Sequence, residues 1–407
     1  MEFPIIRSPA SLPDMPTAPD QARAYPINRK HLAALTDDHG IFRRAVGSEP
    51  DPSFGQSIDD VARALEVDVL HAKTLGWAPV SESARRNMRF LEDGFDAATG
   101  RFAALRTEDG DWAAGGTASN ESLGRVMLAL GETIAAGPDP HLTERAQVLF
   151  ARALPTAGKV TSPRGQASIV LACAAMTRAA LRTAASQSAS GTVERDVATE
   201  AEAAATMRRL ATVLHARFLD YAQPGWPWPE DALGQENALL PHALLVGAVR
   251  LKADAMGRIG LQVLDWLIAA QTAPQGHFSP VGTGSWPHRG VKSQFDQLPI
   301  EATSTLQAAE AAYIATGDPK YVAVMERAYG WFLGANDLGR KLANPARGAC
   351  SDRLTPRGAN ANEGAESTLM WLMASEHIRA IRSEPPRARV AVPRSSVNLP
   401  ASAAAAT

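Results

Sequence analysis

Apolar residues recur every three to four positions through most of the chain, the spacing of one buried face of an α-helix. The pattern predicts helices at about 57–76, 81–92, 119–136, 141–153, 164–185, 193–221, 237–253, 256–272, 297–316, 319–334 and 362–382, and a short one near 29–36. Alternating Val, Ile and Thr between turn residues is scarce, so few strands are expected. The connections alternate in character. Gly137-Pro138-Asp139-Pro140 and Gly317-Asp318-Pro319 are tight, whereas 222–236, 273–296 and 335–361 are long and rich in Gly, Trp, Pro and Asp.

GETIAAGPDPHLTERAQVLF and AAYIATGDPKYVAVMERAYGWF share one plan: a helix, a closing Gly, a Pro/Asp turn and a second helix. Gly suits the end of the first helix and Pro the start of the next. Such hairpins predict an all-α toroid, with two separate helical bundles as the alternative. In a toroid the tight turns gather on one rim and the long loops on the other, where function would sit. Residues 1–28 and 384–407 carry Pro without a buried stripe. They are expected to be an extended segment and a disordered tail flanking a toroid domain at 29–383.

The 407 residues are 45% hydrophobic and 21% charged, with a net charge of −2. This leaves no basic footprint for nucleic acid. Cys173 and Cys350 are too few for a disulfide framework or a Cys-based zinc site. The nine His show no HxH or HExxH spacing, so neither a metal nor a cofactor is expected. The opening MEFPIIRSPASLPDMP lacks a secretory pattern, and no window of about 18 apolar residues could span a membrane. A cytoplasmic protein is therefore expected.

Four stretches could carry chemistry. In SIDDVARAL, Asp59 and Asp60 open a helix. Capping and the helix dipole explain one carboxylate well and two poorly. In GWPWPEDALGQENALLPHAL, Trp226 and Trp228 precede Glu230, Asp231, Glu236 and Asn237. Such rings either stack on sugars or plug the toroid. Residues 276–301 bring Trp286, His288, Arg289, Asp296, Gln297 and Glu301. Residues 343–368 bring Asn360, Asn362, Glu363 and Glu366 to the start of the last helix. Capping is the ordinary explanation of each cluster alone. Four on one chain weaken it together.

In order along the chain, LTDDHGIFRRA, SIDDVARAL, FDAATGRF, SNESLGRVMLALG, WPWPEDALGQENALLPHAL, FDQLPIEA and NANEGAESTL resemble a bacterial group of six-hairpin, (α/α)6-toroid glycosidase-like proteins. Members of that group stand alone or follow a glycosyltransferase domain. Three places depart from its pattern. Gln235 and Glu236 replace Tyr-Asp, Asn120 and Glu121 replace Glu-Asp, and Asp352-Arg353 replaces Asp-Gly. The resemblance implies carbohydrate handling, with a glycosyltransferase as the protein partner. It also brings Glu121 and Arg125, in SNESLGRV, into the expected site.

The leading expectation is an inverting glycoside hydrolase acting on an oligo- or polysaccharide. Inversion uses two carboxyl groups about 6.5–9.5 Å apart. Asp60 and Glu230 are the first candidates, with Asp59 and Asp296 behind them. Trp226, Trp228 and Trp286 would stack on sugar rings. Arg63, Glu121, Arg125, Glu236, Asn237, Gln297, Glu301, Asn362 and Glu366 would bind hydroxyls or orient the acids. Three alternatives stand beside it: a sugar epimerase using His242 and His288, a polysaccharide lyase, and a noncatalytic sugar-binding partner of a glycosyltransferase.

Overall fold

The computed structural model describes residues 27–186 and 197–383. The segments 1–26 and 384–407, and residues 193–196 of the expected helix 193–221, lie outside them.

Twelve α-helices occur among the described residues, close to where the apolar period places them. They are α1 (Lys30–Ala34), α2 (Ile58–Leu75), α3 (Ser81–Asp93), α4 (Asn120–Ala136), α5 (Pro140–Ala157), α6 (Pro163–Ser186), α7 (Val197–Tyr221), α8 (Leu239–Leu251), α9 (Asp254–Ala270), α10 (Pro299–Thr316), α11 (Lys320–Phe332) and α12 (Ala365–Ser383). Their boundaries follow local chemistry. Ser57, Ser119 and Asp139 cap α2, α4 and α5 with a side-chain oxygen. Gly137 and Gly317 end α4 and α10 in the left-handed conformation at φ 57° and 67°, which glycine adopts without steric cost. The two repeated segments therefore form equivalent turns.

The even-numbered helices close a ring. Each of α2, α4, α6, α8, α10 and α12 packs on the next, and α12 returns to α2. The odd helices lie outside: α3, α5, α7, α9 and α11 each pack on the preceding inner helix, and short α1 packs on α12. One apolar core runs through both layers, from Leu32 on α1 to Ile378 on α12. Every inner helix starts at the same rim. The loops 35–57, 94–119, 222–238, 271–298 and 333–364 lead to that rim, as does the shorter 158–162. The tight turns lie at the other end.

Strands are more extensive than expected. Phe42–Val46 (β1) and Glu49–Ser57 (β2) form a hairpin, with Phe42 opposite Gln56 and Val46 opposite Glu49. Leu105–Arg106 adds a third strand at Ser57 and Gln56. Pro50, Pro52 and Gly55 hid β2 in the sequence. They are tolerated because the third strand pairs only with the end of β2, leaving the proline edge free. Short pairings join the rim loops to one another, such as Leu233 with Trp286 in a two-residue ladder and Gln297 with Leu354 in a single bridge.

Candidate active site

Six helix N-termini converge on the long-loop rim, and each offers backbone N–H groups and a partial positive charge. Acidic side chains collect there, and arginines tie them together.

Ser57 caps α2 through the Asp60 N–H (3.1 Å), and its hydroxyl donates to Asp60 Oδ2 (2.8 Å). Asp60 is thus bound through both its N–H and its carboxylate to the hydroxyl that caps its helix. Arg63, one turn on, lies between Asp60 (3.3 Å) and Glu366 of α12 (3.2 Å). Asp59 turns the other way. It accepts from Ser122 (3.2 Å) and from Arg125 Nε (3.3 Å), both on α4. Arg125 continues across the rim with two bonds to the two oxygens of Glu236, at 3.1 and 3.2 Å. Glu236 stands at φ 51° and donates its backbone N–H to Glu301 of α10. Asn237 donates to Glu301 (3.1 Å) and lies beside Arg164 of α6. Arg164 holds both oxygens of Glu230 at 3.0 Å. Every inner helix or the loop leading into it contributes to this chain of contacts.

The shared arginines set unequal protonation. Burial opposes charge on Asp59, but the Arg125 and Arg63 cations and the Ser122 hydroxyl outweigh it and hold its pKa below the ordinary value. Burial also opposes charge on Glu236, and Arg125 again prevails. Asp60 goes the other way. Burial, helped by the nearby Glu366 and Asp59, pushes it up to about 6 against the pull of Arg63. Burial raises Glu301 to about 7. The rim therefore sets carboxyl groups of lowered and raised pKa side by side, the arrangement that acid–base catalysis uses. Asp59 keeps 34% of its side chain exposed, against 4% for Asp60.

The structure brings together Asp59, Asp60, Arg63, Arg125, Glu230, Glu236, Asn237, Glu301 and Glu366. Other expected residues lie apart. Asp296 sits in its loop at φ 58°, 3.8 Å from Arg353. Gln297 is fully buried and joins the Trp331 ring N–H (2.8 Å) to Asp337. Asn362 accepts the Gly47 N–H (3.0 Å) and ties the β1–β2 hairpin to the rim. Glu121 is half-buried and makes no hydrogen bond or ion pair among the described residues.

The tryptophans require a correction. Trp228 is 0% exposed and Trp226 is buried too. They pack with Trp266 and Phe218 in one aromatic cluster, and His288 stacks on Trp226 at 4.9 Å. Neither offers a free face to a sugar, because the large apolar rings fill the space between α7, α9 and the rim loops. Trp286 is half-buried against Trp226. His288 is also not paired with His242. His242 instead shares the barrel interior with His377, Glu310 and Glu132.

Sequence reasoning missed Arg164, Ser122, Glu66 and His377. For Glu66 a signal existed. Asp59, Arg63, Glu66 and Lys73 follow one another at helical spacing, a charged stripe on a helix whose other faces are core.

No protein-family model matches the sequence, and no curated protein does. Solved structures do match in fold. A cellobiose 2-epimerase from Bacillus thermoamylovorans superposes with a TM-score of 0.63 at 10% identity, over 86% of this chain and 95% of the other. A D-mannose isomerase gives 0.59 at 13%, over 87% and 96%. An inactive double Asp-to-Ala variant of an α-1,6-mannanase from Salegentibacter, in complex with α-1,6-mannotetrose, gives 0.54 at 11%, over 87% and 96%. The fold is the (α/α)6 toroid, helical hairpins closed into a ring. At these identities the likeness extends to the fold and no further. Among the described residues no helix is long and apolar enough to cross a membrane.

Proposed function

We propose that the protein is a glycoside hydrolase acting on an oligo- or polysaccharide at the long-loop rim, with Asp60 as general acid and Asp59 as the ionised partner. The observation that carries this reading is the opposite bias of two adjacent carboxyl groups. Asp59 is kept charged by Arg125 and Arg63, while burial keeps Asp60 protonated to about pH 6. They open α2 in the same funnel, yet one turns towards α4 and the other towards α12 through Arg63. That divergence suits inversion, in which water must fit between base and sugar. Glu230, whose two oxygens are occupied by Arg164, becomes a positioning group in this reading. Glu236 and Glu366 are left to grip hydroxyls.

Three things support a saccharide substrate: the sequence resemblance to glycosidase-like proteins, the acidic and amide-rich rim, and toroid neighbours whose names include a mannanase and a cellobiose epimerase. The glycosyltransferase partner belongs to the same reading and rests on the resemblance alone.

The test is turnover of a panel of gluco- and manno-oligosaccharides by wild type, Asp59→Asn and Asp60→Asn, with the product anomer read by NMR. Each substitution should lower kcat by at least about a hundredfold, the scale of acid–base catalysis, with folding intact. Wild-type rates in both folded variants would sink the assignment.

A second reading, sugar epimerisation, has one observation in its favour. His242 on α8 and His377 on α12 both face the barrel interior. His377 is bound to Glu310 (2.7 Å) and lies 3.4 Å from Gln307, which leaves one histidine uncommitted. The same NMR assay distinguishes the readings, because epimerisation inverts a ring carbon without releasing a sugar.

A further inference from the structure

Below the rim, the inner helices carry a second layer of charged contacts at the tight-turn end. Lys73 of α2 and Arg178 of α6 flank Glu132 of α4 at 3.6 and 2.8 Å. His377 of α12 holds Glu310 of α10 at 2.7 Å. Arg250 of α8 donates to Thr177 of α6 at 3.0 Å. The carboxylates named in both layers are paired. From Asp59 to Lys73 the helix advances about 21 Å at 1.5 Å per residue, so a middle level lies between them.

Two polar groups at that level have no partner. Glu66 on α2 is 7% exposed, and His242 on α8 is half-buried. Neither makes a hydrogen bond or ion pair among the described residues. Glu66 faces Arg125, Glu132, Arg63 and Glu236, and His242 faces Glu310, His377 and Glu132. Both therefore look into the barrel, and Glu132 is their common neighbour. In the ring order α2, α4, α6, α8, α10, α12, these two helices stand on opposite walls. An unpaired polar side chain on the barrel wall is free to bond a ligand, and two on facing walls can be bridged by one ligand that bonds to both.

We propose that Glu66 and His242 form a subsite for an uncharged sugar ring held inside the barrel beneath the rim, each bonding a ring hydroxyl. The proposal deepens the saccharide reading above and rests on it. Burial supports it from both sides: Glu66 is pushed up to about 8 and His242 down to about 4, so both are neutral at pH 7. A neutral acid donates and a neutral imidazole donates or accepts, which matches hydroxyl groups. A uronate would instead meet the charges of Asp59, Glu236 and Glu132.

The test uses the full chain with 13C-labelled histidine, probed by NMR with D-mannose, cellobiose and D-glucuronate. The His242 signal is assigned by its loss in His242→Ala. Mannose or cellobiose should shift that signal, and affinity should fall about tenfold, or about 1.4 kcal/mol, in Glu66→Ala and in His242→Ala. Glu66→Gln, which keeps shape and neutrality, should bind more tightly than Glu66→Ala, and this separates lost contact from lost fold. Glucuronate should bind at least about tenfold more weakly than the neutral sugars. An unmoved His242 signal, wild-type affinity in both alanine variants, or equal binding of glucuronate would each overturn the proposal. Sugar bound through this pair without any glycan cleavage would uphold the subsite and defeat the hydrolase reading. Cleavage with an unmoved His242 signal would do the reverse.

Discussion

Asp59 and Asp60 are neighbours in sequence and share no hydrogen-bond partner. One faces an arginine on α4 and part of the solvent. The other is folded into the cap of its own helix. If Asp60 donates the proton, kcat/KM should fall as pH rises through about 6, because the deprotonated acid cannot protonate a leaving group. The acid limb should lie below the ordinary aspartate value, since Asp59 holds its charge. A pH–rate profile that is flat from pH 5 to pH 8 would remove Asp60 from the acid role. Trp228 makes a different prediction at the same scale. Fully buried, Trp228→Ala should cost about 3–5 kcal/mol of stability, read as a lower urea midpoint. A raised KM with an unchanged midpoint would restore the sugar-stacking role that its burial argues against.

At the scale of elements, α4 and α6 approach so closely that glycine is required between them. A Cβ on Gly131 would lie 2.5 Å from the Ala172 carbonyl oxygen, and one on Gly124 would lie 2.8 Å from that of Gly165. These glycines sit mid-helix, where glycine is intrinsically unfavourable, so packing selects them. Gly131→Ala should destabilise by about 1–3 kcal/mol, the cost of overpacking. Chemical denaturation would show it, and a neutral or stabilising result would mean that the two helices can part freely. This contact carries the Asp59–Arg125 and Arg164–Glu230 pairs with it, since α4 holds Arg125 and α6 holds Arg164.

Over the whole molecule, closing the ring places an unusual amount of titratable chemistry within one barrel, and stability should report it. Glu66 and Glu301 have folded pKa values of about 8 and about 7, above the ordinary 4.5. Between pH 4.5 and 8 the folded state binds protons that the unfolded state has lost. Stability from these groups is full below pH 4.5 and declines as pH rises through the folded values. Glu66→Gln removes one of them. Its Tm should fall less than that of wild type between pH 5 and pH 9, in scanning calorimetry across that range. Parallel Tm curves would show that Glu66 ionises as it would in water.

Consecutive residues encode the number and spacing of the helices, the alternation of tight and long connections, and so the toroid and its long-loop rim. These are local matters: a 3.6-residue period, caps, and Gly or Pro at helix ends are written in consecutive residues. The sequence also named most rim carboxylates, because acids at the starts of apolar helices stand out. Tertiary structure decided which of them touch. Arg164 joined Glu230 across 66 residues and Arg125 joined Glu236 across 111, pairings that no local pattern encodes. It decided that Trp226 and Trp228 are core rather than platform, because burial depends on what packs above a ring. It also set Asp59 and Asp60 on opposite sides of their ordinary pKa, because protonation follows from desolvation and nearby charge, which exist only once the ring has closed.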